Sequence, residues 1–133
     1  MRNEKISKNT SKPSLALILH NLRSTYNVGS IFRTADAAGV SKIYLCGYTP
    51  TPAQKTALGA EANVPWEHVA QLARLLKKLK QQKIHIYALE QAETSRNLFS
   101  FQPQFPCALI VGNEVVGIGK SLLKNVDAIL EIP

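Results

Sequence analysis

The chain has 133 residues, and its sixteen Lys+Arg against nine Asp+Glu give a formal net charge of +7. That length fits at most one domain, and it can bury a core without disulfides. The charge fits a polyanionic partner, most often nucleic acid, while two cysteines, Cys46 and Cys107, exclude a disulfide framework or a cysteine metal site at their spacing.

Both cysteines sit inside apolar runs and read as buried free thiols of a cytosolic protein. Residues 1–13 open with MRNEKISKNTSK, which has no apolar signal core and reads as a basic, disordered tail. No apolar run approaches membrane-spanning length, so no membrane partner is expected. The domain is expected over 14–133.

Leu15–His20 is a short apolar run and reads as a buried strand. In Asn27–Ala38, Val28, Ile31, Phe32, Ala35 and Ala38 fall on one helical face, and Gly39 stops the helix. Ser41–Cys46 reads as the second strand. Gly47–Pro65 reads as a long loop of the kind that usually carries function. Trp66–Lys83 reads as the clearest helix, with Trp66, Val69, Leu72, Leu76 and Leu79 as its apolar stripe and Arg74, Lys77, Lys78 and Lys80 toward solvent. Ile84–Leu89 and Cys107–Val111 read as strands, with a proline-bearing loop, Leu98–Pro106, before the latter. Ile118–Val126 reads as a short helix and Ala128–Ile132 as a last strand. Continuous apolar strands alternating with helices predict an α/β fold, with a mostly parallel sheet and helices on both faces.

Ligands in such sheets collect beyond the carboxyl ends of the strands. Four polar clusters follow strands here: Asn21–Arg33, Gly47–Glu61, Glu90–Arg96 and Gly112–Glu114. Ordinary nucleotide loops are not among them. The glycines of VGNEVVGIG fall at 112, 117 and 119, which misses the dinucleotide spacing, and Gly119-Lys120-Ser121 lacks the glycine that a phosphate loop needs at 114. His20, His68 and His85 are isolated, so no metal site is expected, and no nucleophile elbow is present.

Three blocks carry a resemblance: N-V-G-S-I-F-R-T-A-D-A-A-G, K-T-A-L-G-A-E-A-N-V-P-W and I-V-G-N-E-V-V-G-I. Together they resemble the SpoU/TrmH family of RNA ribose 2′-O-methyltransferases, within the SPOUT superfamily, over Ser14 to Pro133. The resemblance implies a cytoplasmic homodimer that methylates a ribose 2′-hydroxyl of tRNA or rRNA with S-adenosylmethionine and no metal. It also implies a trefoil-knotted sheet, a rare exception to unknotted topology. By the same resemblance, Asn27, Arg33 and Glu114 are the catalytic set, with Glu114 supporting Arg33 or the site around it. Ala88, Leu89, Glu90, Gly112, Asn113, Ile132 and Pro133 face the donor. Arg23, Ser24, Arg33 and Lys55 are the expected RNA contacts.

Physical chemistry shapes those roles. Neutralising an arginine at pH 7 costs on the order of 9 kcal/mol, so Arg33 reads first as a fork for a phosphate and the target ribose. Gly29 lets a backbone approach closely. Simpler roles also fit: Arg33 pairing with Asp36, or Asn27 capping the helix. The family's third motif continues past Ile132-Pro133 with a glycine, then a serine and an asparagine. Without that knot-forming segment the chain reads as an incomplete domain with weak donor binding and little activity. The competing classes are a non-enzymatic RNA-binding remnant and, more weakly, a dimerisation domain.

Overall fold

The computed structural model describes residues 14–133. The expected N-terminal tail lies outside the described residues. Strands β1 (Leu15–His20), β2 (Lys42–Cys46), β3 (Trp66–Val69), β4 (His85–Leu89), β5 (Arg96–Asn97), β6 (Cys107–Val111) and β7 (Ala128–Glu131) form one seven-stranded sheet in the order β3-β2-β1-β6-β4-β7-β5. Every pairing in it is parallel. All strand carboxyl ends therefore meet one edge, and β7 lies between β4 and β5, which are consecutive in the chain.

Helix α1 (Thr25–Ala38) starts at Ser24, whose hydroxyl accepts from the Asn27 backbone N–H at 3.0 Å, and stops at Gly39 in the left-handed region, φ 79°. Asn27 is thus inside the helix, and the cap is Ser24. Val28, Gly29, Phe32 and Ala35 form the buried face of α1. Val28, Phe32 and Ala35 pack with Leu19, Ile43 and Leu45 on one side of the sheet. Helix α4 (Leu72–Gln81) buries Leu72, Leu75, Leu76 and Leu79, at the spacing of a single face, against Ile18, Ile86, Ala88, Ala108 and Ile110 on the other side. Side chains alternate along each strand, so Leu19 and Ile18 serve opposite layers. The expected arrangement, helices on both faces of a parallel sheet, is what the chain adopts.

The main departure is at Trp66–Lys83, expected as one helix. Its first part is β3, paired with β2 from Ile43↔Trp66 to Cys46↔Val69. Trp66 and Val69 share one side of a helix but point to opposite faces of a strand. Accordingly Trp66 packs edge-on to Phe32, ring centroids 6.4 Å apart, while Val69 packs in the α4 layer. The strand lies at the sheet edge, where Glu67 and His68 stay exposed. The expected loop after β2 holds two single-turn helices, α2 (Gln54–Ala57) and α3 (Ala60–Asn63). Near the end, the helix α5 is shorter than expected, Lys120–Leu123. The two-residue strand β5 carries too little sequence to have been read.

Cys46 and Cys107 are free and buried, and burial pushes their thiols up to about 12 and about 11 respectively. Among the described residues, no helix is long and apolar enough to cross a membrane.

Candidate functional site

Three of the four polar clusters meet at the carboxyl edge, and Asn113 holds them together. It follows β6, is 7% exposed, and uses all four hydrogen-bonding positions of its amide. Its Nδ2 donates to the Asn21 carbonyl at 2.8 Å and to the Tyr48 hydroxyl at 2.9 Å. Its Oδ1 accepts from the backbone N–H groups of Val115 at 2.8 Å and Val116 at 2.9 Å. The segments after β1, β2 and β6 are thereby fixed to one side chain. Gly112 makes the fold of this turn feasible. A Cβ there would stand 2.9 Å from the Gly117 carbonyl carbon and 3.0 Å from the Ile118 nitrogen.

Glu114 reaches across to the start of α1. Its carboxylate accepts from the backbone N–H groups of Arg23 at 3.1 Å and Ser24 at 3.3 Å, and from Asn27 Nδ2 at 3.1 Å. Burial raises this carboxyl, but the hydrogen bonds from its own backbone, Arg23, Asn27 and Ser24 outweigh that and hold it below the ordinary value. It is an anion at neutral pH, anchored at a helix N-terminus.

Arg33 is one turn and a half further along α1, and its guanidinium donates to the Thr56 carbonyl at the end of α2. Glu114 is thus bonded to Asn27 and to the backbone at the start of α1, with no hydrogen bond to Arg33 itself among the described residues. The alternative partner, Asp36, instead accepts from Asn63 Nδ2 at 3.1 Å. Gly29 brings the two helices together: a Cβ at this position would fall 2.6 Å from the Thr56 carbonyl carbon. The close approach read from the sequence is thus between α1 and α2.

A small cleft of about 190 Å³ is lined by Leu22, Asn27, Ser30, Ile31, Val111, Gly112 and Glu114. A larger one, about 630 Å³, lies beside it in the chain and is bounded by Glu90, Glu93, Thr94, Val116, Gly119 and Lys120. The residues expected at a donor divide between these places. Glu90 lines the larger cleft and Gly112 the smaller. Leu89 is partly buried and Ile132 is 54% exposed, with Pro133 also exposed. The Ala88 side chain is fully buried in the α4 layer, so it faces no cleft. The Asn113 amide is fully used, which leaves only its backbone for a ligand.

Of the expected RNA contacts, Arg23 and Lys55 are exposed, while the Ser24 hydroxyl is engaged in capping α1. Three positioning residues escaped the sequence reading. Thr49 is 2% exposed; its hydroxyl accepts from the Leu22 N–H at 3.1 Å and lies 2.9 Å from the Leu19 carbonyl. Tyr48 and Thr56 are the other two. All three sit in the stretch between β2 and β3, where no periodicity marks them; the signals were the unusual length of that stretch, its polar cluster Gly47–Glu61 and, for Thr56, the second resemblance block.

A model of the SpoU rRNA Methylase family matches residues 14–133. The chain is 33% identical over 135 residues to the 23S rRNA (guanosine-2'-O-)-methyltransferase RlmB of Neisseria meningitidis serogroup B, covering 98% of this chain and 53% of that protein. Among solved structures, it is similar to an AdoMet-bound rRNA methyltransferase from Sinorhizobium meliloti, with TM-score 0.83 and 25% identity over 96% of this chain and 51% of that one. The A. aeolicus TrmH/SpoU tRNA modifying enzyme gives TM-score 0.83 and 25% identity, covering 100% of this chain and 72% of that one. The chain spans about half the length of the curated relatives it matches. With the family's first and third blocks joined at the Asn27–Glu114 contact, and with the match running through every described residue, this chain belongs to the SpoU rRNA methylase family.

Proposed function

We propose that this chain carries the fold of an RNA ribose 2′-O-methyltransferase that uses S-adenosylmethionine, acting on tRNA or rRNA as a cytoplasmic homodimer. The observation that supports the reading is the Asn27–Glu114 junction, which brings the start of α1 and the Gly112 turn to one cleft.

The donor, when bound, supplies an electrophilic methyl group. Leu89, Glu90, Gly112, the Asn113 backbone, Ile132 and Pro133 would hold it. Of these, Gly112 lines the smaller cleft and Glu90 the larger, which fits the donor in size, since small-molecule sites run from roughly 300 to 1,000 Å³. Its carboxylates, Glu90 and Glu93, suit a ligand with hydroxyl groups and a positive sulfur. Methyl transfer is an in-line displacement, so orientation of the ribose does much of the work. Arg33 gives one donor to the Thr56 carbonyl and keeps others for a phosphate or ribose oxygen. Glu114 fixes Asn27 and the first turn of α1, so that Arg33 projects from a pinned helix.

Tritium transfer from labelled donor to tRNA and rRNA tests this, with the product mapped as alkali-resistant linkages. Arg33→Ala should lower transfer by about 100-fold or more, with donor affinity little changed. Undiminished transfer would remove Arg33 from the site. RNA binding without any donor binding would mark the chain as a binding module.

A further inference from the structure

Tyr48 is fixed at three points and bare between them. Its hydroxyl is 2.9 Å from Asn113 Nδ2, and its backbone N–H donates to Asn21 Oδ1 at 3.0 Å. The next residue, Thr49, is locked into the core by hydrogen bonds to Leu22, Leu19 and Cys46. Yet the Tyr48 residue is 59% exposed, and among the described residues no aromatic pair includes its ring. An ordinary exposed tyrosine loses rotamer freedom when something packs on it; this one has lost that freedom already.

A rigid aromatic face open to water suits a flat π-system, and nucleobases are the ligand class with such a face. The Asn113 amide donates to the Tyr48 hydroxyl, so that oxygen accepts and its own proton stays free to donate. Val115 and Val116, each 76% exposed on the turn that Asn113 organises, add an apolar rim. The adjoining residue, Glu114, holds Asn27. The platform is therefore tied through a single side chain to the candidate site.

We propose that Tyr48 is a stacking platform for an unpaired RNA base next to the target ribose, a reading that rests on the RNA function proposed above. The test uses the 133-residue chain and a short single-stranded RNA carrying 2-aminopurine, read by fluorescence quenching and anisotropy. Tyr48→Phe keeps the ring and loses the hydroxyl; Tyr48→Leu and Tyr48→Ala lose both. RNA affinity should hold within about 3-fold in the first and fall on the order of 5- to 100-fold in the other two. All three lose the Asn113 contact, so a merely structural role predicts equal losses in all three, and that result overturns the platform. Equal affinity in wild type and Tyr48→Ala overturns it as well, while leaving the RNA function standing. Failure of the wild-type chain to bind RNA overturns both.

Discussion

Replacing Asn113 by alanine removes four hydrogen bonds of 2.8–2.9 Å at once. At about 1 kcal/mol net for each, the ceiling is near 4 kcal/mol. Val115 and Val116 are exposed, so their N–H groups can turn to water, and Tyr48 is open enough for its hydroxyl to do the same. The Asn21 carbonyl is half-buried and has no such easy recourse. The expected loss is therefore about 2–3 kcal/mol, measured by urea unfolding. Asn113→Asp separates the two halves of the amide. Its carboxylate keeps both acceptor bonds, loses both donations, and faces the Asn21 carbonyl. The Asn21 carbonyl disfavours that charge and the two backbone N–H groups favour it. Because it keeps the two bonds that shape the turn, Asn113→Asp should lose less stability than Asn113→Ala at neutral pH. A loss under about 0.5 kcal/mol in Asn113→Ala would refute the idea that this side chain joins the three segments.

Gly29→Ala places a methyl group 2.6 Å from the Thr56 carbonyl carbon, and a backbone atom cannot swing aside. A loss of about 1–3 kcal/mol is expected in thermal unfolding, and the proposed methyl transfer should fall beyond it because Arg33 leans on the same carbonyl. The Glu114 carboxyl is lowered in the folded chain from 4.5, so its contribution is complete above that pH and lost as pH falls through the folded value. The stability gap between wild type and Glu114→Gln should accordingly be wider at pH 7 than at pH 3; a constant gap would show that the charge contributes nothing.

Where the sequence was readable, side-chain period and burial agreed. LALIL and CALIV lie in the middle of the sheet with buried or half-buried residues on both faces, so a continuous apolar run was the right sign. Phe32 and Ala35 marked the inner face of α1 for the same reason. Trp66–Val69 misled because this edge strand keeps Glu67 and His68 wet, and its two apolar residues then imitate a helical stripe. At the site, Asn27 and Glu114 were named by block resemblance, but the resemblance tied Glu114 to Arg33 and did not foretell the hydrogen bond that the two make with each other. The Arg33–Thr56 and Asn113–Tyr48 contacts were not foreseen. They join residues 23 and 65 positions apart, and no local pattern encodes which loop folds back on which.

The place of β7 sets an order of assembly. β5 has only two residues, and its sheet partner is β7, through Arg96↔Leu130 and Asn97↔Glu131. It has no strand to dock on until β7 arrives. The 90–95 connection must stand open while Ala128–Glu131 slips in beside β4, and these pairings close late because long-range contacts carry the loop entropy. The Glu90 and Leu98 amides donate to the Leu130 and Glu131 carbonyls. Their exchange with solvent deuterium should slow together, as one cooperative unit, after the β2-β1-β6 centre has already gained protection.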